Sequence, residues 1–179
     1  MRIDFYKIKY TDSIMSQIEK DVLWGKKKEA IVFPLLQSKF PDVSQTEDQF
    51  DCFDFRDDVN KIDFELKSRN MIKGKFNTIF FGWNKLREGR ARRESGYSNR
   101  TIYLFRFQNR ADKRKHVIYF WEDDMEIPLD KMPFQFCGNF KRGEEAQKLV
   151  NLPQLWLKPF RELVYEETRC GVENNNSGV

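Results

Sequence analysis

The chain has 179 residues and 17 phenylalanines, enough for one domain with an ordinary apolar core, so disorder along its whole length is disfavoured. It contains no apolar run near the roughly 18 residues that a membrane span requires, and its charged start, MRIDFYKIKY, lacks the apolar segment of a signal peptide. The net charge of +4 says little about partners by itself. We therefore expect an intracellular protein that is neither secreted nor inserted into a membrane.

The first part of the chain predicts one helix between two less regular segments. Residues 1–10 alternate apolar and polar side chains, which is typical of a short strand. Asp12 or Ser13 can cap a helix over residues 13–28, because apolar side chains recur there at helical spacing and three lysines follow near its C-terminal end. Residues 31–48 contain two prolines, which predicts irregular or edge structure.

Residues 49–69 carry the clearest pattern in the chain, that of a β-hairpin. Aromatic and polar residues alternate in QFDCFDFR, turn formers follow in DDVN, and alternation resumes in KIDFELKSR. The period of two places the apolar residues of the second strand on one face. The opposite face carries Asp63, Glu65, Lys67 and Arg69.

Further strands and helices are predicted downstream. A short apolar strand or turn leads into a helix that begins near Asn84, and two strand-like segments over 101–108 and 115–122 form a second hairpin. Residues 143–150 and 159–167 are predicted to be helical.

This order of elements predicts the fold class. Helices alternating with groups of strands indicate a mixed α/β fold, with a central mixed β-sheet flanked by helices. The sequence has no repeat and no linker that would divide it. Residues 1–170 are therefore predicted to form a single domain, and the polar residues 171–179 a flexible C-terminal tail.

The cysteines and the single histidine disfavour several kinds of site. Cys52, Cys137 and Cys170 are far apart in sequence, which argues against a structural zinc site or a disulfide framework and fits a reducing compartment. His116 is the one histidine, and no nucleophile motif such as G-x-S-x-G occurs. Catalysis by a histidine-activated serine or cysteine is therefore disfavoured.

The positive charge of the chain is concentrated in its middle third. Residues 61–120 hold 16 basic and 5 acidic side chains, a balance of +11, whereas residues 1–60 have a balance of −3 and residues 121–179 of −4. A localised positive field favours a polyanionic partner such as nucleic acid. A solvated basic surface would have the same composition.

The polar face of the first hairpin carries groups that could hold a metal ion. Glu65 and Lys67 are two residues apart on one strand, so their side chains emerge on the same face, about 7 Å apart. Asp54, on the preceding strand, can lie beside Glu65, and two adjacent carboxylates are costly unless they are protonated or bridged by a cation. Mg²⁺ prefers oxygen ligands, and the Leu66 carbonyl could be a third beside the two carboxylates. Lys67 would then lie beside the metal, where it could orient or help deprotonate the attacking water. Alternatively, Glu65, Lys67 and Arg69 form a solvated outer face with cross-strand ion pairs.

The segment FDCFDFRDDVNKIDFELKSRN resembles the core of the PD-(D/E)XK nuclease superfamily. The family pattern is a helix, a strand with Asp, a strand with Glu-x-Lys, then a helix and further strands, and the likeness covers roughly residues 13–122. Asp54, Glu65 and Lys67 match the three signature positions. The chain is similar in form to small members from phages and large DNA viruses, including junction-resolvase-like proteins.

The resemblance implies a restriction-endonuclease-like core and a nuclease that uses Mg²⁺, or alternatively Mn²⁺, to hydrolyse phosphodiester bonds of DNA. Asp54 and Glu65 would be metal ligands together with the carbonyl of Leu66, and Lys67 would be the catalytic lysine. The resemblance implies that the protein acts in the cytoplasm or nucleus, which for a viral protein would be that of an infected cell. Cutting both strands of a duplex usually needs two active sites, which favours a homodimer by analogy.

Other acidic residues compete for places in such a site. Asp51 lies three residues before Asp54 and on the opposite strand face, and we prefer Asp54 because FDF is the commoner form in the resemblance. Pro41 and Asp42 match the Pro-Asp pair of the PD-(D/E)XK motif, but Asp42 lies 23 residues before Glu65. Many members of the family carry an acidic residue on a helix before the core, a place that Glu19 could take.

Basic residues that follow the motif are predicted to contact nucleic acid. They are Arg69, Lys73, Lys75, Lys85, Arg87, Arg90, Arg92 and Arg93. Family members often have a basic or amide residue near the scissile phosphate on the next helix, and Lys85 is our choice for it. The segment REGRARRES is predicted to be a loop or helix end that contacts the backbone, with mobility from Gly89 and Gly96. Three aromatic side chains could stack on bases, namely Trp83, Tyr97 and Tyr103. Trp83 also suits a position in the core.

Three functions are compatible with the sequence. The first is a metal-dependent DNA nuclease, and the second is a catalytically inactive nucleic-acid-binding protein on the same fold. The third is a structural or interaction protein with an acidic partner, which explains the basic middle third but not the Asp/Glu-x-Lys pattern. RNA is an alternative to DNA, and duplex, branched and single-stranded substrates all fit.

Overall fold

The computed structural model describes residues 5–46, 51–112, 115–138 and 146–161, and the predicted mixed α/β fold is confirmed. The described helices are α1 (Phe5–Lys39) and α2 (Trp83–Glu94). The described strands are β1 (Val43–Gln45), β2 (Phe55–Asp57), β3 (Ile62–Ile72), β4 (Thr78–Gly82), β5 (Arg100–Gln108), β6 (His116–Glu122), β7 (Phe134–Cys137), β8 (Gln147–Pro153) and β9 (Lys158–Arg161). Neither α1 nor α2 combines the length and hydropathy that a membrane-spanning helix needs. The predicted tail, 171–179, lies outside the described residues.

The strands form two sheets. The larger has the order β1-β2-β3-β5-β6-β9, in which β3 and β5 are parallel and the other neighbours are antiparallel. The smaller is antiparallel, with the order β4-β8-β7. Because parallel neighbours need a crossover connection, β4 and α2 leave the larger sheet after β3 and lead back to β5.

Strand β5 separates two apolar cores. Ile102 and Leu104 pack in one core with Leu36 of α1. Tyr103 and Phe105, on the other face, pack in a second core with residues of α2 and the smaller sheet. Its neighbour β3 is likewise buried on both faces over its first five residues. Polar side chains on β3 must therefore find partners inside the protein.

Both predicted hairpins are confirmed. Strands β2 and β3 are antiparallel neighbours, with Phe55 opposite Phe64, although β2 is shorter than predicted. Strands β5 and β6 pair over seven positions. The alternative of a solvated polar face on β3 is wrong for Glu65, which is buried, whereas Lys67 and Arg69 are partly exposed.

Helix α1 is longer than predicted at both ends. Residues 5–10, predicted as a strand, are helical, and residues 31–39, predicted as irregular, continue the helix. Val32 and Leu36 lie one turn apart and are fully buried, whereas Pro34 is exposed. Apolar packing of this face outweighs the hydrogen bond that the proline removes. The predicted edge structure is limited to β1.

Two C-terminal segments predicted as helices are strands where the structure describes them. Residues 147–150 belong to β8, which lies between β4 and β7 with Val150 and Leu152 fully buried. Pairing on both sides overrides the helix-favouring composition of this segment. Residues 159–161 belong to β9, and Pro159 is tolerated there because β9 is an edge strand.

Helix α2 packs closely on β5 at Gly89. A Cβ atom at this position would lie 3.0 Å from side-chain atoms of both Thr101 and Tyr103. Gly89 therefore serves close packing rather than mobility, and the segment predicted as a loop or helix end continues α2 to Glu94. Gly96 follows the helix with a φ of 74°, a conformation that favours glycine.

Candidate active site

Asp54 is held against the stretch of β3 that contains Glu65. The backbone N–H of Asp54 donates to the Phe64 carbonyl at 3.0 Å. Its carboxylate oxygen Oδ2 accepts a hydrogen bond of 2.7 Å from the backbone N–H of Leu66. The hairpin thus brings the two predicted carboxylates to the same place, although they are eleven residues apart in sequence.

Two lysines converge on Glu65, which is 1% exposed. Glu65 Oε1 lies 2.5 Å from Lys67 Nζ, and Oε2 lies 3.0 Å from Lys85 Nζ. Lys67 comes from the same face of β3, whereas Lys85 comes from the first turn of α2 and also donates to the Cys52 carbonyl. Both carboxylate oxygens of Glu65 therefore lie within 3.0 Å of an ammonium group.

The carboxylates lie in a poorly solvated environment. Burial, and next the negative charge of Glu65, raises the pKa of Asp54 to about 7 against the opposing hydrogen bond from Leu66. Burial lowers the pKa of Lys85, but its pairing with Glu65 outweighs that effect, so the pKa is raised and the ammonium form is favoured. A further cation beside Asp54 and Glu65 would relieve the repulsion between them.

Glu29 of α1 adds a third carboxylate whose charge acts on this site. Burial raises the pKa of Glu29, the charge of Lys26 lowers it, and the charge of Glu65 raises it. Glu29 in turn contributes to the raised pKa of Asp54. The residue proposed from the sequence for the helical acid, Glu19, has a side chain that lies outside the described residues, and Glu29 was not considered. A signal was present, because Glu29 lies three residues before the fully buried Val32, on one side of the helix.

The alternatives to Asp54 lie elsewhere. Asp51 Oδ1 accepts hydrogen bonds from the Phe53 backbone N–H at 3.1 Å and from Arg92 Nη2 at 2.9 Å. Asp42 is exposed in the turn after α1. Of these three acidic residues, Asp54 is the one whose carboxylate contacts β3 beside Glu65.

Two arginines predicted to contact nucleic acid form ion pairs within the fold. Arg90 is buried and pairs in a bidentate manner with Asp123, at 2.7 and 2.9 Å. Arg92 lies 2.9 Å from Asp51 and 3.4 Å from Asp63. Their charges are compensated by these carboxylates, so they contribute little to an external positive field.

The other predicted contacts have different surroundings. Arg69 and Arg93 each donate a hydrogen bond to a backbone carbonyl. Lys73 and Lys75, in the β3–β4 connection, place their ammonium groups over aromatic rings, at 4.7 and 5.6 Å from the ring centroids. Arg87 is exposed on α2. Unlike Arg90 and Arg92, none of these five residues is within ion-pair distance of a described carboxylate, although the charge of Arg93 helps to lower the pKa of Glu122.

The three aromatic candidates for base stacking differ in access. Tyr103 is fully buried and donates to the Lys85 carbonyl at 3.1 Å, so it supports α2 rather than a ligand. Tyr97 is exposed, with the Arg56 guanidinium 3.9 Å from its ring centroid. Trp83 is partly buried and packs edge-on against Phe134.

Asp54 and Glu65 are the carboxylate-bearing residues of this candidate site. Among the described residues, no three side chains of His, Cys, Asp or Glu are arranged as a ready metal site. Asp54 and Glu65 nevertheless supply carboxylate oxygens, although both oxygens of Glu65 are paired with lysines. Oxygen ligands of this kind are those that Mg²⁺ and Mn²⁺ prefer.

Comparison with protein-family models, curated proteins and solved structures found no match for the chain. The function is therefore inferred from the residues of the site.

Proposed function

We propose that the protein is a metal-dependent nuclease that hydrolyses phosphodiester bonds of DNA, with a PD-(D/E)XK-type site. The observation that supports this most is the convergence of Lys67 and Lys85 on the buried carboxylate of Glu65, beside Asp54. Phosphodiester hydrolysis needs these types of group, namely carboxylates for a divalent cation and positive charge for the phosphate. Although Arg90 and Arg92 are paired with carboxylates within the fold, the remaining excess of basic residues over 61–120 favours a polyanionic substrate.

Each residue of the site has a role in this proposal. Asp54 and Glu65, with the Leu66 carbonyl, would hold Mg²⁺ or Mn²⁺, which supplies a water of lowered pKa and offsets phosphate charge. Lys67 has a side chain that is 30% exposed, so it can turn to the water and orient it toward phosphorus. Lys85 positions Glu65.

The proposed reaction is the hydrolysis of one phosphodiester bond. The attacking water gives up one proton to solvent as its oxygen forms a bond to phosphorus and the bond from phosphorus to the 3′ oxygen breaks. The departing oxygen takes up a proton from solvent, which leaves a 3′-hydroxyl and a 5′-phosphate.

Cleavage of labelled linear, nicked and branched DNA in Mg²⁺ tests the proposal. We expect Lys67→Ala to reduce cleavage by about 100-fold or more, because it removes the group that orients the water. Binding in chelator should change little, since Lys67 is one of several cations near the site. Lys131→Ala is the matched control, because that lysine is 73% exposed and distant in sequence. Cleavage by Lys67→Ala at the wild-type rate would refute the assignment.

A catalytically inactive nucleic-acid-binding protein is the second candidate. Both carboxylate oxygens of Glu65 already contact lysines, and a carboxylate compensated in this way can be purely structural. This candidate predicts salt-sensitive binding without hydrolysis in Mg²⁺ or Mn²⁺. The same cleavage assay therefore separates the two.

The proposal includes an intracellular setting and, for a duplex substrate, a homodimer. Two antiparallel strands present two scissile phosphates, so double-strand cleavage is simplest with two copies of the site. Analytical ultracentrifugation with and without duplex DNA measures the assembly, and a monomer in both conditions would exclude the dimer.

A further inference from the structure

A cleft lies between α2 and β8, apart from the candidate active site. Its volume is about 370 Å³, and the described residues that line it are Gly82, Trp83, Asn84, Arg87, Gln147 and Lys148. Trp83 and Arg87 are four residues apart and share one side of α2. Lys85 points about 200° away from Trp83 around the helix, toward Glu65. One helix therefore serves both the candidate active site and this α2–β8 cleft.

The lining of the α2–β8 cleft is cationic. Arg87 and Lys148 supply two positive charges, and no carboxylate belongs to the described lining. Neither cation forms an ion pair with a carboxylate of a described residue. The amide side chains of Asn84 and Gln147 add hydrogen-bond donors and acceptors.

Aromatic rings lead from the cleft to the outer surface of the smaller sheet. The Lys148 ammonium lies 3.4 Å from the ring centroid of Trp83 and 4.0 Å from that of Phe134. The Trp83 and Phe134 rings are 5.7 Å apart, and the Phe134 and Phe136 rings 5.8 Å apart. Phe136 is paired with Lys148 across β7 and β8 and is 66% exposed. The Lys148 ammonium thus lies against a row of three aromatic rings, and the last of them, Phe136, faces solvent.

We propose that the α2–β8 cleft binds an unpaired nucleotide from a single-stranded segment of the substrate. This inference rests on the proposed nuclease function and adds its substrate class. The exposed Phe136 ring can stack on a base, the amides can bond its edges, and the cations can hold its phosphates. An apolar peptide would leave the cations and amides without partners. A closed duplex keeps its base faces stacked and offers the rings nothing to contact.

Fluorescence anisotropy in chelator tests the cleft without cleavage. The probes are a labelled thymidine oligonucleotide of about 16 nucleotides and a duplex of equal length. We expect Phe136→Ala and Lys148→Gln each to weaken single-strand binding by about tenfold while changing duplex binding by less than about twofold. Thermal unfolding of both variants verifies that the fold is intact.

Matched controls come from a second ring with a cation beside it. Trp24→Ala removes an exposed ring on α1 that has the Lys28 ammonium 4.5 Å from its centroid, and it should leave both affinities unchanged. Lys131→Gln removes an exposed charge and should also have no effect. Equal losses on single strand and duplex, or no loss with either cleft variant, would overturn the inference.

The two proposals can fail separately. Absence of Mg²⁺-dependent cleavage, together with a selective loss of single-strand binding in the cleft variants, would refute the nuclease and support the cleft. Cleavage that depends on Lys67, together with unchanged single-strand binding in the cleft variants, would support the nuclease and overturn the cleft.

Discussion

The Asp54 carboxylate accepts a hydrogen bond from the backbone N–H of Leu66, at 2.7 Å. This bond fixes an acidic side chain on the strand that carries Glu65, and it lowers the pKa of Asp54. Burial and the charge of Glu65 raise that pKa more strongly, to about 7. Asp54 therefore titrates near neutral pH, and both stability and cation binding should depend on it.

Asp54→Asn should stabilise the cation-free protein at alkaline pH. With a raised pKa, the folded state keeps a proton that the unfolded state loses, so wild-type stability falls as pH rises from about 4 to about 7 and is then constant. Asparagine cannot ionise, and its carbonyl oxygen can still accept the bond from Leu66. The free energy of unfolding should therefore exceed the wild-type value by about 1–3 kcal/mol above neutral pH and by little near the unfolded pKa of about 4.

Urea unfolding in chelator, followed by tryptophan fluorescence, measures this difference. Asp130→Asn is the control, because that carboxylate is 74% exposed and its loss should change stability little. An Asp54→Asn difference that does not grow between mildly acidic and alkaline pH would contradict the raised pKa.

Binding of a divalent cation should weaken as pH falls through about 7. The cation requires the ionised form of Asp54, so protons compete with it. Calorimetric titration with Mn²⁺ should give an affinity about tenfold lower one unit below this pKa than one unit above it. The same affinity on both sides would show that Asp54 is not a ligand.

Loss of Lys85 should destabilise the protein more than loss of Lys67. The Lys85 side chain is 20% exposed and that of Lys67 is 30% exposed, so the Lys85 pair with Glu65 is less screened by solvent. We expect Lys85→Met to lower the free energy of unfolding by about 2–3 kcal/mol and Lys67→Met by about 1 kcal/mol. Adding Glu65→Gln to Lys85→Met should restore most of the loss, because the carboxylate that loses one of its two lysine partners is then neutral. Simple additivity in this double-mutant cycle would contradict the coupling.

Substitution of Arg90 should affect the stability of the fold, whereas substitution of Arg87 should affect nucleic-acid binding. Arg90→Gln breaks a buried bidentate pair with Asp123 and should cost about 3–5 kcal/mol of stability. Arg87→Gln removes an exposed charge and should change stability by less than about 0.5 kcal/mol. It should nevertheless weaken nucleic-acid binding and reduce the salt slope by about one. Urea unfolding and salt-dependent anisotropy measure the two effects, and a reversed pattern would refute these placements.

Local patterns predicted the elements that position Asp54 and Glu65. The hairpin of β2 and β3, the start of α2 and the hairpin of β5 and β6 all follow from alternation and turn residues within short windows. The juxtaposition of Glu65 and Lys67 follows from the pleat of one strand. These features need no knowledge of distant partners.

Features that depend on distant partners were missed. Strand β8 is paired with β4, which lies about 70 residues earlier, so the helix-favouring composition of 147–150 was misleading. The inward placement of Arg90 depends on Asp123, 33 residues away, and no local pattern marks it. Glu29 acts on the site because α1 extends past Pro34 and packs on the larger sheet.

The parallel pairing of β3 with β5 has a consequence for synthesis and folding. Glu65 lies opposite Tyr103, and every residue of the β4–α2 crossover must be made before these two can meet. A chain that ends before β5 would contain Asp54, Glu65, Lys67 and Lys85, yet β3 would be an unpaired edge there. Assembly of the site on the ribosome therefore waits for β5, and such a fragment should aggregate rather than bind cations.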